Sequence, residues 1–387
     1  MNLLIITGKL VPSLGNNVLI LRSVLPFLTG EHQVRLLSET DLDKDSRVFP
    51  AAVYGCPVHW AFHRKDSFRT RVIFPLRASL ADRNVCSDAI QVLHAADLGK
   101  AIRREYPYDA ILSTMEPFYA AVTASMLPAK KRILYLMDPP ISFVRDIATP
   151  YRTRKMESVL AKHDLILTTP FVRDAFAQHG YQKYLHKFAA VGFPKITAEP
   201  ASGTGPADGR IRLLFCGWLY STIRSPGYFL DILSRLDERF VVTFMGQECE
   251  KLTERFDIHT KAELITLPQQ PYETALQAMA EADILINIGN SVPVHMPSKT
   301  LEYINTGKPF VNFYKLDDCP TLYYTKRYPL CMNMSEKDTD LDAAARRFID
   351  FCVENKGKTV DRDYIEREYE DCTPQYIAQK ILDALGE

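Results

Sequence analysis

Several signatures are missing from this chain, and each absence removes a class of protein. No Gly-x-Gly-x-x-Gly run follows the first apolar stretch, so a dinucleotide cofactor finds no glycine cradle for its pyrophosphate. No Cys-x-x-Cys pair and no Cys/His cluster occurs. The eight cysteines stand apart at 56, 86, 216, 249, 319, 331, 352 and 372, a pattern of scattered reduced thiols that argues against a zinc site or a disulfide framework. Net charge is absent too, with 47 Lys+Arg against 47 Asp+Glu, so no nucleic-acid partner is expected. No apolar run approaches the roughly 18–20 residues that span a bilayer. The opening Met-Asn-Leu-Leu-Ile-Ile lacks the basic start of a signal peptide and reads as a first strand. The expected location is therefore cytoplasmic, free or at the inner face of the cell membrane. With 47% hydrophobic and 24% charged residues over 387 positions, the chain is globular and long enough for two α/β domains.

What is present centres on 283–313. Residues 284–288 form an apolar run without polar alternation, as in a parallel strand buried on both faces. Gly289-Asn290-Ser291 stops it, Pro297 suits a first helical position, and Gly307-Lys308-Pro309 ends the helix before a strand at 310–313. Ser298, Lys299 and Thr300 fall in the helix's first turn, where unpaired N–H groups and the positive end of the dipole make an anion site. Lys299 adds a full charge, and Glu302 lies one turn deeper on the Ser298 face. A carboxylate there suits the paired hydroxyls of a ribose. Phosphate donors at the mouth with a diol acceptor inside describe a nucleoside diphosphate; the alternative is a capped surface helix with solvated charges.

The first half opens strand (3–7), loop (8–17), helix (18–28), strand (33–38), a Rossmann-like start with Gly15 and Asn16 in the loop. Residues 59–83 mix His63, Arg64, Lys65, Arg69, Arg71, Arg77 and Arg83 with Trp60, Phe62, Phe68 and Phe74. Such a mixture suits peripheral contact with anionic lipid or with a lipid-linked phosphate, or else a helical hairpin with its arginines in solvent. Strands at 109–113 and 132–137 run into Glu116 and Asp138, carboxylates at the carboxyl ends of parallel strands, where open α/β sheets bind ligands. Either is placed to orient or deprotonate an acceptor hydroxyl, and Asp138 before Pro139 also fits an ordinary turn.

Residues 198–209, dense in Gly, Pro and Ala, read as a linker between domains at 1–197 and 210–360. A second Rossmann-like unit starts at 211–216, and Arg224 sits in its first strand-to-helix loop, where a guanidinium can hold phosphate oxygens at two points. Residues 315–334 read as irregular, 341–355 as a helix, and 361–369 and 374–385 as closing helices with Thr373 as cap.

Asn-Ile-Gly-Asn at 287–290, Pro-Ser-Lys-x-x-Glu-Tyr at 297–303 and Thr-Gly-Lys-Pro at 306–309 together resemble the donor motif of GT-B glycosyltransferases, the family-four group in particular. Glu157-x6-Asp-Leu-Ile-Leu-Thr-Thr and Val-Gly-Phe-Pro at 191–194 are similar to further elements of that family, although its usual Asn is Val191 here. The resemblance implies a GT-B architecture, two Rossmann-like domains facing across a cleft, with the helices of 361–387 crossing back to the first domain. It implies a nucleotide-diphosphate sugar as donor substrate, no further cofactor, and a glycan or lipid-linked acceptor in cell-surface polysaccharide synthesis. Gly217 and Arg224 then meet the phosphates, Tyr272 the base, and Gly289, Asn290, Ser298, Lys299, Thr300 and Glu302 the rest of the nucleotide. Gly15, Asn16, Glu116 and Asp138 face the acceptor. Arg224, Lys299 and Asp138 carry the chemistry. With no Asp-x-Asp directly closing a strand, metal independence is expected. Two departures stand out: the base that often follows the glycine is Trp218, and the glutamate often found eight residues before the ribose carboxylate is Val294. A sugar-nucleotide epimerase or hydrolase on the same fold, or a non-catalytic sugar-binding component of an assembly complex, are the alternatives.

Overall fold

Residues 1–8, 23–28, 33–39, 58–62, 106–137, 150–198, 201, 203, 205–219 and 223–386 are described by the computed structural model, with scattered helical positions between 92 and 104. The chain divides into two units, Met1–Pro194 with Asp371–Glu387, and Lys195–Glu370.

The first unit is built on seven parallel strands: β1 (Asn2–Thr7), β2 (Gln33–Glu39), β3 (Val58–Phe62), β4 (Ala110–Thr114), β5 (Lys131–Leu136), β6 (Leu165–Thr168) and β7 (Phe188–Ala190). Their order is β3-β2-β1-β4-β5-β6-β7. Central β1 and β4 are buried along nearly their whole length, which is why their sequences run apolar without alternating. Helix α1 (Phe118–Met126) is alanine-rich and buried over seven consecutive residues, so it packs all round rather than by one stripe. Helices α2 (Pro150–Lys162) and α3 (Pro170–Gln178) follow.

The second unit has six parallel strands: β8 (Ile211–Cys216), β9 (Phe240–Met245), β10 (Glu263–Leu267), β11 (Ile284–Ile288), β12 (Phe310–Tyr314) and β13 (Cys331–Ser335), ordered β10-β9-β8-β11-β12-β13. Its helices are α4 (Gly227–Leu233), α5 (Tyr272–Glu281), α6 (Lys299–Thr306), α7 (Thr321–Thr325), α8 (Leu341–Asn355) and α9 (Arg362–Glu368), besides a single turn at Leu252–Arg255. Phe229 gathers the core on one face, its ring centroid 5.7, 5.2 and 5.9 Å from those of Phe244, Phe313 and Phe348. Such aromatic packing adds to plain area burial. Helix α10 (Pro374–Leu385) belongs to the first unit, its start capped by Thr373, whose hydroxyl accepts from the Tyr376 amide.

Several expectations change. The chain passes between units at Pro194/Lys195, ahead of the 198–209 stretch read as the linker. Gly203 and Gly205 of that stretch lie instead against the end of α5, where a Cβ on Gly205 would stand 2.6 Å from the Glu281 carbonyl. Composition without periodicity marks irregular chain, not chain free of contacts. Only 371–387 returns to the first unit; α9 stays in the second, where Arg362 donates to Asn305 and to the Thr197 carbonyl. The 315–334 stretch holds a helix and the edge strand β13. Val58–Phe62, at the head of the basic-aromatic stretch, is a strand in register with β2. Residues 63–83 lie outside the described residues.

Candidate functional site

In each sheet the chain leaves the central strand in opposite directions, so a switch point lies between β1 and β4 and another between β8 and β11. Open α/β sheets bind ligands outside the carboxyl ends of the strands at such points. In the second unit the β8 end is Cys216-Gly217 and the β11 end is Ile288-Gly289-Asn290. Both ends are crowded by backbone. Gly246 has φ +140°, and a Cβ there would stand 1.9 Å from the Gly217 carbonyl oxygen; one on Gly289 would meet the Phe313 carbonyl at 3.0 Å.

Helix α6 starts beside these ends. Tyr303 clasps it to β8: its hydroxyl accepts from the Cys216 amide at 2.9 Å and donates to the Cys216 carbonyl at 3.2 Å. The Thr300 hydroxyl is buried and turned inward, donating to Asn287 Oδ1 at 3.4 Å. From there an amide ladder crosses three strands in register, Asn287 to Asn312 (2.7 Å) to Asn333 (2.8 Å), and Thr325 of α7 closes it at 2.7 Å. The amides of Thr300 and Leu301 turn back onto the carbonyls of Pro297 and Ser298, so the anion-binding mouth of the helix narrows to its outermost N–H groups.

Glu302 projects from this turn and is 5% exposed. Both its oxygens are taken by ammonium groups: Lys195 Nζ at 2.8 Å from Oε1 and Lys299 Nζ at 2.5 Å from Oε2. Burial alone would push the Glu302 carboxyl up; the charges of Lys299 and Lys195 outweigh it and hold it at about 2. For Lys299 burial pulls down, but the Glu302 charge prevails and raises it above its ordinary value. The Tyr272 ring lies beside both, its centroid 5.7 Å from Lys195 Nζ and 5.4 Å from Lys299 Nζ. Two cations thus share one carboxylate, leaving one positive charge in surplus at the mouth of the switch point. Lys195 was not expected from sequence. The only local hint is a lone charge in the buried stretch Val191–Ile196, and its partner lies 107 positions on.

Arg224, 8% exposed, reaches from the β8–α4 loop to the end of β11. Its Nε donates to Asn290 Oδ1 at 2.9 Å and its Nη1 to the Trp218 carbonyl at 3.1 Å. Asn290 Nδ2 in turn meets His295 Nδ1 and the His295 carbonyl, each at 2.7 Å. Next to His295, Val294 has φ +63°, a left-handed conformation costly for a β-branched residue and so a strained point in this loop. A cavity of about 80 Å³ adjoins Arg224, lined by Leu219, Pro226, Glu248 and Phe256 among others. It is too small for a nucleotide.

Sequence-selected donor residues Gly217, Arg224, Tyr272, Gly289, Asn290, Ser298, Lys299, Thr300 and Glu302 therefore all fall along one stretch of the second sheet's carboxyl edge. On the first unit, half-buried Glu116 stands just past β4 and precedes Pro117 through a cis peptide bond. Gly15, Asn16 and Asp138 lie outside the described residues.

The fold this defines is GT-B, the two-Rossmann architecture of many glycosyltransferases. Solved structures match it across the chain. One is the lipopolysaccharide outer core galactosyltransferase WaaB in its apo form (TM-score 0.61, 13% identity, 100% of this chain and 99% of that one). Another is Anabaena HepE in complex with UDP-glucose (TM-score 0.57, 15% identity, 100% and 96%). A third is the UDP-GlcNAc 2-epimerase of Methanocaldococcus jannaschii (TM-score 0.57, 10% identity, 99% and 99%). No protein-family model matches the sequence, and a search of curated proteins found no match. At such identities the likeness is one of fold, and that fold carries both transfer and epimerisation.

Proposed function

We propose that the protein is a glycosyltransferase that moves a sugar from a nucleoside-diphosphate sugar to a glycan or lipid-linked acceptor in cell-surface polysaccharide synthesis. The observation that carries this is the surplus positive charge of Lys195, Lys299 and Glu302 beside Arg224 at a sheet switch point. Arg224 and Lys299 stabilise the charge that gathers on the leaving diphosphate, usually the largest contribution in such sites. Each Glu302 oxygen keeps a lone pair beyond its lysine bond, and the pair of oxygens takes the two ribose hydroxyls. Tyr272 packs on the base, and the glycine ends of β8 and β11 let the phosphates approach the backbone. On the first unit Gly15, Asn16, Glu116 and Asp138 serve the acceptor, with Asp138 as the group that draws its proton. The side-chain cations meet the diphosphate charge, so activity persists in EDTA. HepE's complex with UDP-glucose and WaaB's place in the lipopolysaccharide core favour a uridine nucleotide and a glycan acceptor.

A thermal-shift panel of UDP-, GDP-, ADP- and dTDP-sugars tests this. A true donor at 100 times its dissociation constant stabilises the protein by about 2.7 kcal/mol, and Glu302→Gln or Arg224→Gln reduces the shift. The likeness to a 2-epimerase favours one rival. Isomerisation or release of sugar from the nucleotide sugar alone, without acceptor, decides for an epimerase or hydrolase. Binding with no turnover of any kind, and wild-type glycan in cells carrying Arg224→Ala, decides for a non-catalytic component.

A further inference from the structure

Lys195 has little local structure to hold it. It lies in an irregular stretch outside helix and strand, and as the first residue of the second unit it follows chain that belongs to the other unit. Its four-carbon stem is flexible. Yet its ammonium is buried 2.8 Å from Glu302 Oε1. The register is fixed two residues later. There the Thr197 amide donates to Asn305 Oδ1 at 2.9 Å, and Asn305 Nδ2 donates to the Thr197 hydroxyl at 3.1 Å. Asn305 stands three residues after Glu302 on α6, on the same face one turn on. Residues 195–197 are thus stitched to α6 at two rungs, Lys195 on Glu302 and Thr197 on Asn305.

Arg362, the first residue of α9, ties the second rung. Its Nη1 donates to the Asn305 carbonyl at 3.0 Å and to Asn305 Oδ1 at 3.1 Å, its Nη2 to the Thr197 carbonyl, and its Nε to Glu366 at 2.8 Å. The Asn305 carbonyl lies in the last turn of α6, where carbonyls lack intrahelical partners and the dipole is negative. That turn has no basic residue of its own, so Arg362 brings the cation from another helix. A rigid planar fork joins two backbone segments at once, which a single ammonium does not. Resting on the transferase reading, we propose that Arg362 is a positioning residue for the nucleotide site: by locking Thr197 to Asn305 it seats Lys195 on Glu302, and so maintains the surplus charge that meets the diphosphate. Its action runs through Lys195.

The test is a double-mutant cycle on the full chain, with inorganic pyrophosphate as ligand and calorimetry as readout. Arg362→Met frees the segment and is expected to weaken pyrophosphate roughly three- to tenfold, part of the loss that Lys195→Met causes outright. In the Lys195→Met background the same change is expected to have almost no effect, because no ammonium remains to be seated. A purely structural role, or the charge of Arg362 acting by itself, gives the same factor in both backgrounds. Arg362→Lys keeps that charge without the fork and is expected to behave as Arg362→Met does. Asn305→Leu breaks the rung from the other side, with the same result. A second readout needs no ligand. Acylation of lysines by an amine reagent, located by mass spectrometry, is expected to spare Lys195 in the wild type and to mark it in Arg362→Met and Arg362→Lys. Equal factors in the two backgrounds, or Lys195 as well protected in the variants as in the wild type, overturn the proposal while nucleotide binding, and the transferase reading, stand. Should the wild type bind neither pyrophosphate nor any nucleotide of the panel, the transferase reading falls and the role of Arg362 with it, even where labelling finds Lys195 released.

Discussion

Replacing Lys195 by Met separates the charge of the site from its shape. Lys195 and Glu302 are each 5% exposed and 2.8 Å apart, and Lys299 holds the other carboxylate oxygen. Truncating one partner of a buried pair costs about 3–5 kcal/mol. Here Lys299 stays on the carboxylate, so a loss of about 1–3 kcal/mol is expected, or a fall in melting temperature of roughly 5 °C for a unit of this size. The cluster's charge drops from +1 to zero. A unit charge about 5 Å from a phosphate oxygen, at an effective dielectric of about 20, is worth roughly 3 kcal/mol. Lys195→Met should therefore weaken inorganic pyrophosphate at least tenfold, most clearly at low salt. Glu302→Gln takes the cluster to +2 and strengthens pyrophosphate, yet weakens UDP because the ribose loses its acceptor. The double variant returns to +1: it regains pyrophosphate binding and part of the lost stability but not UDP. Calorimetric titration of both ligands into the four proteins checks the order. Equal pyrophosphate affinities in wild type and Lys195→Met would refute the charge argument.

Three further outcomes are expected. His163 is buried, donates from Nδ1 to the Val159 carbonyl and accepts from Ser113, and burial lowers its pKa to about 4. Below the unfolded value of about 6.5 the unfolded chain binds the proton and the folded one does not. Stability is therefore complete above that pH and lost as pH falls through 4, by up to roughly 3 kcal/mol; urea midpoints of His163→Leu at pH 7 and 5 should lack this slope. Gly246→Ala forces a Cβ onto the Gly217 carbonyl at φ +140° and should cost about 3 kcal/mol or more, together with loss of nucleotide binding, read by thermal shift. Asn312→Leu strands the Asn287 amide that donates to it and should destabilise by about 2 kcal/mol, with Asn287→Leu/Asn312→Leu recovering part of the loss in denaturant titration.

Local pattern carried much of this protein. The β11 run is buried on every residue, and Gly307 ends α6 with φ +75°. Helix α8 matches the expected 341–355, its cap Asp340 accepting from the Ala343 amide. These follow from periodicity and caps, interactions that reach only a few residues along the chain. Strand β13 was illegible for the opposite reason. Cys-Met-Asn-Met-Ser has no β-branched residue, and its Asn333 belongs in a strand only because Asn312 and Thr325 satisfy it.

By itself the sequence determined two α/β halves, the strand–loop–helix that carries Lys299 and Glu302 in the helix's first turn, and the presence of Arg224 in a strand-to-helix loop. Tertiary structure alone decided that Lys195 would share Glu302, that Asn290 would join Arg224 to His295, and that Thr300 would turn inward. A charge or an amide in low dielectric must find its complement wherever the fold places one. That complement sits across the sheet or a hundred residues away, and no local pattern names it.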